Sequence, residues 1–273
     1  RLQLDRVVFD PAITGEEQEL QLTAKARIFE ARAQVDATAQ SSKGDRLAVK
    51  LDAVPDKDLL GLALRFDGPR DGLLAGLIGV DAPVEMRIDG KGSWTKWDGT
   101  FAADAGAGRR ADLALSARNG RFTAIGDVAV GQPDSRNMIA DVLAPAFRLD
   151  LVGDFADSIG KVEGSLVATK LRMDVSGSVD LSESLFRKMI VNLQMPQKVA
   201  IANGFESEGA SAKFVVDGAM IEPRIDYAIS TKRFRVGEFV LTGLTAQGNT
   251  QFENGVARIP VMARARRVEG LDF

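Results

Sequence analysis

The sequence contains neither cysteine nor histidine among its 273 residues. These absences exclude disulfide scaffolds, zinc sites of the usual Cys/His type, cysteine nucleophiles and every catalytic triad that needs an imidazole base. Aromatic residues are also scarce, at 6% of the chain with a single tyrosine. An enzyme built from this chain would have to use carboxylates, lysine, serine or that one tyrosine.

A strong charge of either sign and a long apolar run are missing as well. Lys+Arg number 35 and Asp+Glu 38, so the formal net charge is −3, which argues against nucleic-acid binding. The longest apolar run, 73–80, is far shorter than the ~20 residues that a membrane-spanning helix needs. No signal-like segment follows Arg1. Both ends lie in strand-like sequence, so we expect a segment of a longer chain that carries any membrane anchor elsewhere.

Alternation of apolar and polar residues with period two dominates what is present. In 20–28 and again in 171–179, apolar residues occupy every second position and polar or small residues lie between them. Successive side chains of a strand point to opposite faces, so each such segment predicts a strand with one apolar face. The positions that we predict to line a common apolar face are Leu20, Leu22, Leu47, Val49, Leu51, Leu62, Leu64, Leu113, Leu115, Phe147, Leu149, Leu151, Leu171, Met173, Val175, Val179, Phe214, Val216, Ile225, Ile229, Ile259 and Val261.

Turn signals separate these strands about every ten residues, as in an antiparallel meander. Pairs of Asn or Asp with Gly are hairpin candidates, because type I′ turns need a positive φ at both central residues. The flip of apolar parity at 28–31 predicts a β-bulge. Short helices are predicted over 71–79, 135–143 and 182–188. The hairpin candidates are Asn119-Gly120, Asn254-Gly255, Asp67-Gly68, Asp89-Gly90, Asp98-Gly99 and Asp217-Gly218.

The apolar face must be buried against something, and the predicted helices are too few to cover it. Two sheets face to face, a closed barrel, or one long sheet curled on itself would each satisfy this requirement. Many of the apolar positions are Ala, Gly, Val or Leu, which favours a curled sheet that leaves an apolar groove suited to an acyl chain. No linker-like block interrupts the chain, so we expect a single continuous segment over 1–273, with its loosest connection near 131–137.

Two regions resemble a known family. The stretches 234–248 (FRVGEFVLTGLTAQG) and 254–268 (NGVARIPVMARARRV) resemble the TamB family of the AsmA-like superfamily. The stretch 71–84 (DGLLAGLIGVDAPV), followed by 92–99 (GSWTKWDG), is similar to its alphaproteobacterial branch. Elsewhere the resemblance is one of style, in amphipathic strands joined by Gly-rich returns.

The resemblance implies an all-β, elongated, mostly antiparallel sheet curled into a taco-like or β-helical trough with an apolar interior. It implies non-enzymatic transport of phospholipid across the periplasm towards the outer membrane, with an anchor in the inner membrane that lies outside these residues. The implied partners are phospholipid and an Omp85-type outer-membrane barrel, which a region outside this segment would contact. No cofactor, metal, catalytic residue or nucleic-acid partner is implied.

Several local motifs have both a functional and an ordinary interpretation. Ser93/Lys96 and Ser158/Lys161 match the S-x-x-K spacing of some serine nucleophiles, but neither lies on a convincing helix. The carboxylate pairs Asp56/Asp58 and Asp154/Asp157 have the residue type of a glycosidase site but lie in turn-like sequence. Gly72/Gly76 fits a cap at one end of the sheet, and Trp94/Trp97 fits a packed hairpin. The basic run 264–267 fits either a solvated strand face or a contact with anionic headgroups.

Three other functions are also compatible with parts of the sequence. A structural or adhesive β-solenoid would have a filled interior and a fixed repeat period, which the sequence lacks. An outer-membrane protein assembly factor would share the family resemblance but would not transport lipid. A carbohydrate-active enzyme would need a polar cleft with paired acids, which the apolar pattern disfavours.

Overall fold

The computed structural model divides the chain into two compact units, Arg1–Ala129 and Val130–Phe273. The boundary between the units falls just before residues 131–137, where the sequence predicts the loosest connection. That the chain forms one uninterrupted segment stays a prediction. The structure describes residues 2–9, 18–29, 32–78, 80–93, 95–132, 138–156, 158–202, 204–253, 256–258 and 260–270.

The first unit is an antiparallel sheet whose strands pair in chain order, with one short helix and one 3₁₀ turn (Pro55–Lys57) between strands. Helix α1 spans Leu73–Ile78, between β5 and β6. The strands are β1 Leu2–Phe9, β2 Gln18–Phe29, β3 Arg32–Ser41, β4 Arg46–Val54, β5 Leu59–Gly68, β6 Val84–Gly92, β7 Lys96–Asp104, β8 Arg109–Arg118 and β9 Arg121–Val130.

The second unit is built in the same way. Helix α2, Met138–Leu143, precedes the strands, and the last two short strands of the sheet both pair with β16. β17 and β18 form a separate two-stranded ladder. The strands are β10 Ala146–Ala156, β11 Ile159–Ala168, β12 Arg172–Asp180, β13 Leu185–Ala202, β14 Phe205–Ala219, β15 Arg224–Val236, β16 Phe239–Asn249, β17 Gln251–Glu253, β18 Val256–Arg258, β19 Met262–Arg264 and β20 Arg267–Glu269.

The all-β class with antiparallel pairing, expected from the alternation, is confirmed. Consecutive strands pair without a crossover from β2 to β8 and from β10 to β16. The hairpin predicted at Asn119-Gly120 is present, since the two residues have φ of 49° and 83° between β8 and β9. Asn254-Gly255 lies outside the described residues. In the part of the chain that the structure describes, no helix has the length and apolar character needed to cross a membrane.

The four Asp-Gly pairs are not hairpin turns, which corrects the prediction. Asp67-Gly68 ends β5, and the other three pairs lie inside β6, β7 and β14. In each pair the polar Asp and the small Gly take opposite faces of the strand, as period-two alternation requires. Each Asp-Gly pair therefore resembles a hairpin turn only because a polar residue and a small residue alternate along the strand.

Two of the three predicted helices are present, and the third is wrong. Helices α1 and α2 lie within 71–79 and 135–143, although 79 and 135–137 fall outside the described residues. The segment 182–188 instead forms a turn and the start of β13. A bulge at Lys188, whose φ is 49°, places Phe186 and Met189 on one face three residues apart. This spacing imitates that of a helix.

The predicted bulge at 28–31 is also replaced by another feature. Phe29, the last residue of β2, pairs with Arg32, the first residue of β3. The chain therefore reverses direction between them, and residues 30 and 31 lie outside the described part. A reversal of the chain shifts the alternation of apolar residues by one position, as a bulge does. The sequence pattern therefore predicted a bulge where the chain reverses.

Candidate functional site

One face of the first unit's sheet is apolar on every strand from β2 to β8, and we call it the apolar face. Residues opposite each other in an antiparallel ladder point to the same face, so the register identifies rows of side chains. The central row consists of Ala37, Val49, Leu64, Ile88, Phe101 and Leu113. The rows on its two sides are Val35, Leu51, Leu62, Gly90, Gly99, Leu115 and Ala39, Leu47, Phe66, Met86, Ala103, Ala111.

The sequence-predicted positions of this unit share that face. Leu22 joins the third row because it lies opposite Ala39. The backbone of Leu20 is opposite Ser41, but its side chain lies outside the described part. The remaining predicted positions on this face are Leu47, Val49, Leu51, Leu62, Leu64, Leu113 and Leu115.

Two glycines on this face make room for a tryptophan. Gly90 and Gly99 are directly opposite each other, and a Cβ on either would overlap the indole ring of Trp97. Trp97 is 9% exposed, so its ring is packed against the sheet. Trp97 thus packs within the β6–β7 hairpin as expected, whereas Trp94 lies outside the described residues.

The second unit also has an apolar face, with rows that cross even more strands. One row crosses eight strands and the next crosses seven, and both contain only apolar, small or tyrosine side chains. The first is Leu149, Leu166, Met173, Leu193, Ala212, Ile229, Ala246 and Ala263. The second is Leu151, Gly164, Val175, Val191, Phe214, Tyr227 and Gly248.

Most predicted positions of this unit lie on its apolar face. Phe147 and Val179 continue it towards the two ends of the strands, and Leu171 lies one residue before β12. Ile259 falls outside the described residues, and Val261 precedes β19 with 60% of its surface exposed. The other predicted positions on the face are Leu149, Leu151, Met173, Val175, Phe214, Val216, Ile225 and Ile229.

The prediction missed further members of both faces. They were missed on β7, β11 and β13 because those strands combine alternation with glycine, alanine or bulges. The register with neighbouring strands would have identified each of them. The missed residues with large side chains are Phe101, Val162, Leu166, Met189, Val191 and Leu193.

Both apolar faces keep part of their surface accessible. In a packed sandwich the central residues of the inner faces are buried at the density of a protein interior. Here Ile88 and Phe101, at the centre of the first face, are only half-buried, and so are Val191 and Phe214 in the second unit. Ile229 is 39% exposed.

The fully buried side chains lie mainly near the two short helices. Helix α1 contacts β5, and Ala75 within it is buried, as is Val84 at the start of β6. Gly72 precedes this helix, and the amide N–H of Leu73 donates to Asp45 Oδ2 at 2.8 Å. Helix α2 contacts β13. Each helix therefore covers only a small part of its unit's sheet.

The opposite, polar face carries ion pairs between residues two apart on one strand. Arg110–Asp112 (2.8 Å), Arg172–Asp174 (2.8 Å) and Arg267–Glu269 (3.1 Å) follow this pattern. Residues i and i+2 of a strand share a face, so the pattern is the polar counterpart of the apolar rows. Exposed pairs of this kind contribute little to stability, about 0–1 kcal/mol.

Three carboxylates on or next to the polar faces have lowered pKa values. The Ser182 hydroxyl, the Arg187 guanidinium and the Glu183 amide lower the pKa of Asp180 to about 2. The hydrogen bond from Arg32 lowers the pKa of Asp52, and that from Lys198 lowers the pKa of Glu206. All three groups are therefore ion-paired, charged carboxylates rather than proton donors at neutral pH.

Several residues of the motifs with enzymatic interpretations serve turns, whereas Asp154 lies within β10 and Asp157 lies outside the described residues. The Ser93 hydroxyl accepts the amide N–H of Lys96 at 2.8 Å, which closes the β6–β7 turn. Ser158 has a φ of 65° at the β10–β11 turn, and Asp58 has a φ of 50°. No cluster of acidic residues that could hold a metal ion occurs within the described ranges. Comparison with known protein families, curated proteins and solved structures finds no match to this chain.

Proposed function

We propose that the two apolar faces bind the acyl chains of phospholipids, and that the chain conducts lipid between membranes without catalysing a reaction. The observation that carries this proposal is the unbroken apolar row, which crosses up to eight strands and remains partly accessible. An acyl chain gains roughly 0.8 kcal/mol for each CH₂ that leaves water. Half-buried apolar rows offer such a chain a surface on which to lie.

The chemical uniformity of the rows supports transport rather than tight storage. Between β3 and β8, the three rows contain no charged side chain. A lipid chain that moves from one strand to the next meets nearly the same environment, so barriers between positions are small. The polar face remains in water with its ion pairs. We further propose that each face lines a trough of the kind expected from the sequence.

The resemblance to the TamB family supports the same proposal and extends it to the periplasm. On that basis we propose that the lipid moves towards the outer membrane, in a longer chain anchored in the inner membrane and partnered by an Omp85-type barrel. The energy source would lie with those other parts, because these residues hold no nucleotide-binding motif.

The first experiment is native mass spectrometry and lipid extraction of the chain purified from a bacterial periplasm. We expect phospholipid to co-purify with the wild type. The amount of bound phospholipid should fall about tenfold or more in Val175→Arg or Leu115→Arg, because each substitution places a charge on an apolar row. Ala114→Arg and Ser176→Arg are the controls, since Ala114 and Ser176 alternate with those positions and point to the polar face.

Circular dichroism establishes that each variant retains its strands. A wild-type chain free of lipid, or a Val175→Arg chain that folds and carries lipid at the wild-type level, contradicts the proposal. The first of these results would favour a solenoid with a filled core.

A further inference from the structure

A line of bulges crosses the polar face of the second unit. Gly209 in β14 and Gly243 in β16 both have a φ of 64°, although they lie inside strands. On each strand the residues that face the apolar side are three apart across this line, for example Ala210 and Ser207. Each strand therefore turns two consecutive residues towards the polar face at the same level, and the bulges are aligned from strand to strand.

Hydroxyl groups support this line from the apolar side. The buried Thr231 hydroxyl lies 2.9 Å from the buried Ser207 hydroxyl, and contacts the carbonyl oxygens of Glu208 at 2.9 Å and Arg233 at 3.0 Å. Thr231 thereby satisfies backbone groups next to the bulge. The irregular line is a built feature of the sheet rather than a frayed one.

Two cationic side chains lie across the glycines of the line. A Cβ on Gly209 would overlap the side chain of Lys232, and a Cβ on Gly243 would overlap the guanidinium of Arg266. Glycine is needed at both positions, because of the positive φ and because of this close approach. The bulges therefore hold Lys232 and Arg266 close to the sheet.

A cavity of about 640 Å³ lies at this place. Lys232, Arg264 and Arg266 line it, and none of the described residues that line it is acidic. Hydroxyls complete the lining: Ser211 and Ser230 have their Oγ atoms 2.8 Å apart, and Thr245 belongs to the same row on β16. Guanidinium, ammonium and hydroxyl groups are all hydrogen-bond donors.

None of these three cations forms an ion pair within the described residues, and the same is true of Arg233 and Lys213 on this face. Arg235 pairs with Glu206 at 3.6 Å, Arg267 with Glu269 at 3.1 Å and Arg224 with Asp226 at 3.5 Å. Several cations of this face are thus neutralised locally, whereas Lys232, Arg264 and Arg266 place three positive charges at one cavity.

We propose that this cavity is a binding site for a tetrahedral oxyanion of the phosphate class. Arginine presents a planar fork that matches phosphate oxygens in pairs, lysine adds a point charge, and the hydroxyls supply neutral donors. The phosphate belongs either to a soluble phosphate compound or to the headgroup of a phospholipid at a membrane surface. The site lies on the polar face, so it stands independently of acyl-chain binding on the apolar face.

Isothermal titration calorimetry of the full chain with inorganic phosphate tests the soluble source. Flotation with vesicles of phosphatidylcholine plus phosphatidylglycerol tests the headgroup source. We expect binding in at least one assay, weakened about tenfold or more when Lys232, Arg264 and Arg266 are all changed to Gln, because charge-assisted hydrogen bonds are lost. The matched control changes Arg224, Arg235 and Arg267 to Gln, which removes the same charge from paired cations on the same face.

Phosphate binding that is lost only in the Lys232/Arg264/Arg266 variant assigns the site to a soluble phosphate compound. Vesicle binding lost only in that variant assigns it to a headgroup. Binding in neither assay, or equal losses in both triple variants, overturns the proposal. All six side chains are exposed, so both triple variants are expected to fold, and the single variant Arg264→Gln provides a milder test.

Discussion

At the scale of single residues, glycine on the apolar faces is as informative as the large side chains. Gly90 and Gly99 accommodate the ring of Trp97, and a Cβ on Gly164 would overlap the side chain of Leu151 from the neighbouring strand. At these places a large side chain therefore covers a glycine of the same face. In the sequence, the glycine of an Asp-Gly pair resembles a turn signal because the alternation does not show which side chain covers it.

The substitution Gly90→Ala tests this interpretation. We expect the added methyl group to displace Trp97 and to lower the free energy of unfolding by about 1–3 kcal/mol, as overpacking does. Gly61→Ala is the control, because its Cβ would meet only the Asp52 carbonyl oxygen at 3.7 Å, and its effect should be below about 0.5 kcal/mol. Urea unfolding measures both, and equal values would refute the packing role of Gly90.

At the scale of elements, the turn between β12 and β13 shows how a side chain decides between helix and strand. Asp180 Oδ1 accepts the amide N–H groups of Ser182 and Glu183, both at 3.1 Å, and Arg187 contacts Oδ2 at 2.6 Å. These contacts close a tight turn where the spacing of apolar residues imitates a helix. The spacing of apolar residues predicts a helix over 182–188, but the hydrogen bonds to the Asp180 carboxylate hold a turn there instead.

Acid titration tests the contribution of this turn. The pKa of Asp180 is lowered to about 2, so its carboxylate adds stability above its unfolded pKa of roughly 4, and this contribution disappears as the pH falls towards 2. We expect Asp180→Asn to be less stable than the wild type at neutral pH, and the difference between them to shrink below about pH 4.

Thermal unfolding followed by circular dichroism from about pH 6 to pH 2 gives this comparison. Glu222→Gln, which removes a carboxylate from the exposed turn between β14 and β15, is the control. Asp52 and Glu206 also have lowered pKa values, so part of the acid sensitivity should remain in every variant. A constant difference between wild type and Asp180→Asn at all pH values would contradict the assignment.

At the scale of the whole molecule, each unit presents an apolar face on one side and paired charges on the other. The described core is small, and its buried hydrophobic members include several alanines, such as Ala39, Ala53 and Ala75. Much of the apolar surface therefore remains available for contact after folding. A ligand that covers it should stabilise the folded state by mass action.

A thermal-shift experiment with lysophosphatidylcholine below its micellar concentration tests this expectation. A ligand at about 100 times its Kd adds roughly 2.7 kcal/mol, which should raise Tm by several degrees. Glycerophosphocholine carries the same headgroup without an acyl chain, so it can bind only at the cationic cavity and should raise Tm by less. The shift should be smaller in Leu115→Arg than in Ala114→Arg. A shift of equal size with both compounds would contradict acyl-chain binding.

Much of the fold and of the candidate site could be predicted because period two is a local property. The alternation at 20–28 and 171–179 identified strands and the face of each side chain without knowledge of their neighbours. Glycine-rich and bulged segments could not be assigned in this way. Ser207 and Phe205 face the apolar side only because the bulge at Gly209 shifts the parity.

The sequence by itself determined the all-β class, the antiparallel pairing of successive strands and many of the large side chains on the two apolar faces, because each depends on residues close together in the chain. Only the tertiary structure decided that the Asp-Gly pairs lie within strands, that Trp97 covers two glycines, and that Lys232 shares a cavity with Arg264 and Arg266. The physical reason is that these features depend on which strands become neighbours and in which register, and hydrogen bonding between strands sets that register across long stretches of sequence.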